Sequence, residues 1–323
     1  MLTYVARRLL FSIPVLALAS VVVFFGVASV GDPLAELRLK PGVSQITIDN
    51  VIERKHLDEP LPQRYGYWVR EAVTDRFGET VFGRPIWPDL TRALKNTMQL
   101  VLVAEVLSLL IGVPIGILSA RRQYSLFDYS ATVVSFLGYS IPIFWFALIL
   151  QVVFTNLYRA TGTRLFYTSG LSSVDPGTGL AFLLDRMQHL ALPIIAIAYI
   201  NVALYSRYMR ASMLETLHAD YVRTARAKGV REGTVTRRHA VRNALIPIAT
   251  LAAINFGATF GGAIVTESIF SLDGMGLFFL RALGAREVYS VMAFLMITSI
   301  IVVVANLVAD MVYGLLDPRI RYE

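Results

Sequence analysis

The sequence predicts an all-α polytopic membrane protein with six transmembrane helices, and three observations carry that expectation. Hydrophobic residues fill 55% of the 323 positions and charged ones only 16%, against roughly 25% charged in a soluble domain. Apolar runs long enough to cross about 30 Å of hydrocarbon recur six times. Lys and Arg are shared unequally between the short connecting segments, fifteen on the side assigned as inner and five on the other. Basic residues in short loops resist translocation, so this bias predicts a multi-pass protein of the cell (plasma or inner) membrane with both termini cytoplasmic.

The same composition excludes other classes. A pI near 9.7 and a net charge of +7 would suit nucleic acid, but the charge is confined to certain loops and no groove-reading or base-stacking motif accompanies it. Without cysteine there is no disulfide, thiolate metal site or thiol nucleophile. The four histidines, at 56, 189, 218 and 239, are scattered, so no metal site is expected. Neither H-E-x-x-H nor G-x-S-x-G occurs, and no G-x-x-x-x-G-K-[ST] phosphate loop is present. No catalytic residue is predicted, and any ATP must be hydrolysed by another chain.

Residues 1–30 form a short N-terminus and the first span. Leu9–Val30 is about 22 residues of apolar chain, longer than the roughly 7 to 15 of a signal-peptide core. Arg7 and Arg8 hold its start inside. Residues 31–95 turn polar, with ten Lys or Arg against ten Asp or Glu and six prolines. This external insertion is too small for a strong core of its own and is expected to rest on the outer ends of the spans. Within it, 46–57 and 65–77 read as amphipathic helices, with Tyr67, Trp68 and Phe77 suited to the interface.

Residues 96–323 make a five-span core. The second span covers about 96–120; the third, about 129–158, is broken at Ser140-Ile141-Pro142, as a kink or as a short interfacial helix before it. An outer loop, 161–189, leads to the fourth span, about 190–208. His189, at that boundary, reads as a helix-end hydrogen-bonding group. The fifth span runs from 246 to 270 and the sixth from about 288 to 316.

Two of these spans carry G-x-x-x-G spacing, Gly112–Gly116 and Gly257–Gly261, which lets backbones approach closely in lipid. Either the two spans pack on each other, or the small-residue face of the fifth lines an interface with a second membrane subunit. Few polar residues interrupt the spans. Glu105, Gln151, Asn201 and Asn255 are candidates for the translocation path, because polar groups are costly there; a structural hydrogen bond is the alternative for Glu105.

Between the fourth and fifth spans lies the most distinctive stretch, 209–245. From Arg207, at the end of the fourth span, to Arg242 the chain holds nine basic residues against three acidic ones. It reads as a helix of small residues ending at Gly229, a second basic helix, and Pro247 at the entrance of a span. Ala225 and Gly229, four apart, share a helical face that another protein could approach closely.

Tyr221-Val222-Arg223-Thr224-Ala225-Arg226-Ala227-Lys228-Gly229, with Arg238-His239-Ala240 and Arg242-Asn243-Ala244-Leu245-Ile246-Pro247 after it, resembles the cytoplasmic coupling loop of ABC importer permeases. The likeness is to the dipeptide/oligopeptide and nickel subfamily. It extends through Gly31-Asp32-Pro33, Leu57-Asp58-Glu59-Pro60-Leu61, Gly274-Met275-Gly276-Leu277 and Leu316-Asp317-Pro318-Arg319, and so spans the chain. Arg223 and Thr224 stand where broader importer permeases have Glu and Ala.

The resemblance implies a type I importer permease fold and a transport subunit without its own cofactor. ATP and Mg2+ would sit on two cytoplasmic ATPase subunits. Other implied partners are a second homologous permease, an external substrate-binding protein that delivers short peptides, and the lipid bilayer. Tyr221, Arg223, Thr224, Ala225, Ala227, Lys228, Gly229, Arg238, Asn243 and Pro247 become the ATPase-coupling residues. Nickel chelates or another small ligand stay open as substrate. An ion-coupled secondary carrier is the rival class; it needs paired broken helices with midplane ion ligands, which are not evident.

Overall fold

The structure, a computed structural model, describes residues 2–30, 32–39 and 41–316. Gly31 and the basic tail residues Arg319 and Arg321 lie outside the described residues, as does the side-chain environment of Gly261. Six of the described helices are long and apolar enough to cross a membrane, and among the described residues β structure is limited to one isolated bridge, Glu79 to Pro85.

One compact unit comprises 2–97 and 273–303. Helix α1 (Leu2–Val30) is followed by three short helices: α2 (Ala35–Leu39), α3 (Gln45–Arg54) and α4 (Leu61–Thr74). The last two overlap the amphipathic stretches expected from sequence, 46–57 and 65–77, and each begins and ends earlier than expected. Ser44 caps α3 by accepting from the Thr47 N–H, and Pro60 and Pro62 bracket the start of α4, where a missing N–H costs nothing. The apolar side of this insertion is buried against its own unit: Trp68 packs with Phe24 and Tyr65. Lys55 is buried too, paired with Glu71 at 3.1 Å and lying 4.6 Å from the Tyr289 ring. Helix α13 (Met275–Gly284) and the start of α14 (Val288–Leu316) complete the unit. The Val81 N–H donates to the Glu287 carboxylate at 3.1 Å, and the Met275 N–H to Thr97 Oγ1 at 2.7 Å.

The other unit comprises 98–272 and the chain from 304. Helix α5 (Ile86–Arg121) crosses from the first unit into it, followed by α6 (Leu126–Ser140), α7 (Ile143–Thr161) and α8 (Leu180–Leu217). The third apolar run is thus two helices, of which α7 has spanning length. Ile141 precedes proline and is extended, at φ −84° and ψ 121°, because the proline ring disfavours helical backbone in the residue before it.

Beyond α8 come α9 (Asp220–Ala227), α10 (Glu232–Thr234), a π-helical turn at Val235–Val241, then α11 (Arg242–Gly262) and α12 (Ile264–Ile269). The fifth span therefore begins earlier than its proline, which the helix accommodates near its start, and ends at the paired glycines. Two apolar clusters organise the unit. One gathers Leu100, Ala147, Leu192, Ile197 and Phe270; the other gathers Ala120, Tyr205, Met209, Met213, Ala244 and Ile248.

Candidate functional site

Helix α9 ends as its sequence dictates. Gly229 takes φ +73°, a left-handed conformation open to glycine at little cost. Its N–H donates to the Arg226 carbonyl at 2.9 Å, and the Val230 N–H to the Ala225 carbonyl at 3.2 Å. This bond pair, with Val230 packed on Val222, Ala225 and Val235, is a Schellman ending. The turn is braced by Arg226, which donates to both Glu232 oxygens, at 2.9 and 3.1 Å, and to the Leu217 carbonyl at 3.2 Å. The hydrogen bonds to Glu232 favour the charged guanidinium and raise its pKa.

The face presented outward differs from expectation. Ala225 is turned inward, onto Val222 and Val235, because those are the apolar residues α9 must bury. Of the residues expected to couple, Tyr221, Arg223, Thr224, Ala227, Lys228 and Gly229 are exposed. Further on, Arg238 on the π-helical turn, and Asn243 and Pro247 on α11, are also exposed; Asn243 Nδ2 donates to the His239 carbonyl at 2.9 Å.

Within the apolar core, three of the four predicted path residues converge. Tyr205, fully buried, donates its hydroxyl to Glu105 and accepts from Asn255 Nδ2 at 2.9 Å. Asn201 Nδ2 lies 3.4 Å from Glu105 Oε2. One carboxylate is thereby surrounded by groups from α5, α8 and α11. Gln151 stands apart: its amide donates to the Thr168 and Ile269 carbonyls, at 2.7 and 2.9 Å, and ties the loop after α7 to α12. His189 stacks on Tyr167, its Nδ1 2.8 Å from the Asp185 carbonyl.

The first G-x-x-x-G pair packs on α8 and not on α11. A Cβ at Gly112 would lie 3.0 Å from Tyr205 Cβ, and one at Gly116 only 2.6 Å from Met209 Cβ and from the Ser206 carbonyl oxygen. The pattern marks a face that can be approached closely; it does not name the partner.

Sequence reasoning missed the ion pair beside this contact. Asp128 is buried and takes Arg210 in a two-pronged grip, at 2.6 and 2.8 Å, while accepting from the Ser119 hydroxyl and the Tyr124 N–H at 2.9 Å. The hydrogen bonds from Arg210 hold its carboxyl well below the usual carboxylate range. Ser125-x-x-Asp128, a helix-capping pattern, was the available signal for the aspartate's place; nothing local signals a partner 82 residues away.

Residues 112–322 match the family model for the binding-protein-dependent transport system inner membrane component. The chain belongs to this permease family. It is 38% identical to the oligopeptide transport system permease protein AppB of Bacillus subtilis, over the whole of both chains. The dipeptide transport system permease protein DppB of Alkalihalophilus pseudofirmus is 35% identical, again over all of both chains. The oligopeptide transport system permease protein OppB of Mycobacterium tuberculosis is 36% identical over 99% of each. A solved structure of the MetNI methionine ABC transporter aligns with 72% of this permease and 98% of its own chain, at TM-score 0.54 and 17% identity, a likeness of fold. The permease has the type I ABC importer fold, and it is a membrane transport subunit, not an enzyme.

Proposed function

We propose that this permease carries short peptides, di- to oligopeptides delivered by an external binding protein, into the cytoplasm. Partner ATPases that bind ATP and Mg2+ drive the transport. The observation that carries the substrate class is full-length similarity, at 35 to 38% identity, to permeases named for oligopeptide and dipeptide transport. Those names favour peptides over nickel chelates.

A second, homologous permease completes the pathway, and two cytoplasmic ATPase subunits receive segment 209–245. Support for the docking role comes from α9. It is a short helix that ends in a stiff turn, braced by Arg226, and exposes Tyr221, Arg223, Thr224, Ala227 and Lys228. Ala225 contributes from below, by seating α9 on Val235, and Gly229 by ending it. Arg238, Asn243 and Pro247 extend the same exposed surface. Both termini are cytoplasmic and 31–95 is external, as the distribution of basic residues favours.

Glu105, Asn201 and Asn255 belong to the translocation path, with Tyr205 as their hub; Gln151 shapes the path by fixing the outer loop. Closure of the ATPases displaces α9, and the bundle switches between inward- and outward-open states.

The test is uptake of labelled di- to pentapeptides into vesicles that hold this permease, its partner permease, the ATPases and the binding protein. Accumulation that requires ATP is expected. Uptake indifferent to ATP but driven by a proton gradient would overturn the proposal in favour of a secondary carrier.

A further inference from the structure

Helix α8 carries three arginines, and two of them have polar partners. Arg186 donates to Gln99 at 3.0 Å and to the Leu171 carbonyl at 3.1 Å, and Arg210 is gripped by Asp128. Arg207 differs. Among the described residues no carboxylate lies within ion-pair distance of it, and its Nε, though buried, has no acceptor. Its guanidinium rests on two aromatic rings of α6, 4.6 Å from the centroid of Tyr139 and 5.3 Å from that of Phe136.

The direction of that side chain is informative. Helices α6 and α8 run antiparallel: Asp128 meets Arg210, Ser135 meets Ser206 at 3.0 Å, and Gly138 faces Ala203. Phe136 and Tyr139 therefore lie further from the α9 end of α8 than Arg207 itself. The guanidinium points back toward the middle of the span, whereas a basic side chain near a span end ordinarily extends to the nearer interface. Ser135 and Ser206, beside it, line both a cavity of about 250 Å³ and a narrow cleft that also includes Arg207. Phe136 and Tyr139 are each more than half exposed.

A cation without a counter-ion whose side chain is directed back into a span, not out of it, faces a cavity or a pathway, since facing lipid is costly. Its fork of donors fits a planar carboxylate, and a peptide carries one such group at its end. We propose that Arg207 receives the C-terminal carboxylate of the peptide as it passes α6 and α8, with Phe136 and Tyr139 as the apolar wall beside it. The inference rests on the peptide-import proposal above.

The experiment compares a labelled tripeptide with its C-terminal amide in vesicles that hold the complete transporter, carrying wild-type permease, Arg207→Gln or Arg207→Lys. The binding protein is unchanged throughout, so any difference between variants belongs to the permease. Loss of a charge-assisted pair predicts a KM for the free acid raised about tenfold or more in Arg207→Gln, with the KM for the amide essentially unchanged. Arg207→Lys keeps the charge without the fork and retains part of the preference; it carries the test alone if Arg207→Gln does not assemble. Equal losses for acid and amide would overturn the proposal, as would no change in either. So would an effect that follows the anionic lipid content of the vesicles for both substrates. If the wild-type complex accumulates neither peptide with ATP, the peptide-import proposal itself fails and this one with it; if it accumulates both and the variants match it, only this inference fails.

Discussion

Replacing Gly229 isolates the contribution of one turn to coupling. At φ +73°, with nothing within 4 Å of an added Cβ, a side chain meets no neighbour, so the whole penalty is conformational. An ordinary residue in the left-handed region costs about 1–2 kcal/mol, and a β-branched one is more strongly disfavoured there. The two bonds that close α9, from the Gly229 and Val230 N–H groups, are lost on leaving that conformation in wild type and variant alike, so the strain alone sets the shift. Since about 1.4 kcal/mol is tenfold in population, Gly229→Val should depopulate the closed turn by at least tenfold, and Gly229→Ala by less. Gly229→Asn should stay near wild type, because asparagine tolerates the left-handed region. The assay is the ratio of peptide imported to ATP hydrolysed in the reconstituted complex. A wild-type ratio in Gly229→Val would sink the reasoning, and so would an Asn variant as impaired as the Val one.

Gly116→Ala places a Cβ 2.6 Å from backbone and side-chain atoms of α8 and should destabilise by about 1–3 kcal/mol. Gly112→Ala, with nearest contacts of 3.0 and 3.1 Å, should lower the Tm of the purified permease less; the reverse order would refute the packing account. Glu105→Gln keeps an acceptor for the Tyr205 hydroxyl and should leave ATPase docking intact while slowing peptide uptake; unchanged uptake kinetics would assign Glu105 to structure alone. Asp128→Asn strands Arg210, a loss of about 3–5 kcal/mol for a fully buried pair and less here, where the Arg210 side chain is 28% exposed. Because the folded carboxyl is depressed, its stabilisation is complete above the unfolded value of about 3.9 and disappears only as pH falls through the folded one. The Tm gap between wild type and Asp128→Asn should therefore be flat from roughly pH 5 to 8 and narrow only below about pH 4; a gap that changes near neutrality would contradict the assignment.

What could be read from sequence follows the strength of the physical constraint. A bilayer demands long apolar helices, so six spans are legible from hydropathy. The break in the third at Ser140-Ile141-Pro142 is legible from its proline, and the structure resolves the two readings of that break in favour of separate helices, α6 and α7. The ending of α9 was legible because only glycine takes its backbone angle cheaply. Its buried face was not, because Ala225 becomes interior through Val235, which is contributed by the π-helical turn ten residues on. Tyr205 reads as one more apolar aromatic, yet its hydroxyl joins Glu105 to Asn255. Pairings such as Asp128 with Arg210 exist only once α6 and α8 lie antiparallel.

The polar contacts of α8 also bear on how force would travel if α9 docks on an ATPase. Over the thirteen residues Asn201–Met213 the helix is tied to α5 through Tyr205 and Glu105, and to α6 through Ser206 and Arg210. Gly112 and Gly116 leave no slack between α5 and α8. Buried polar links of this kind are lost as units, since a half-broken one strands a donor or a charge away from water. Helices α5, α6 and α8 should therefore shift together. Helix α11 is tied to α8 as well, by Ser212 on the Ala244 carbonyl and by Asn255 on Tyr205. What sets it apart is the π-helical turn before it, whose bonding pattern is less stable than that of an α-helix and is frequently found at functional sites. If α9 is displaced, that turn is the place where the change would pass into α11. Asn255 then marks the point at which that motion reaches Glu105.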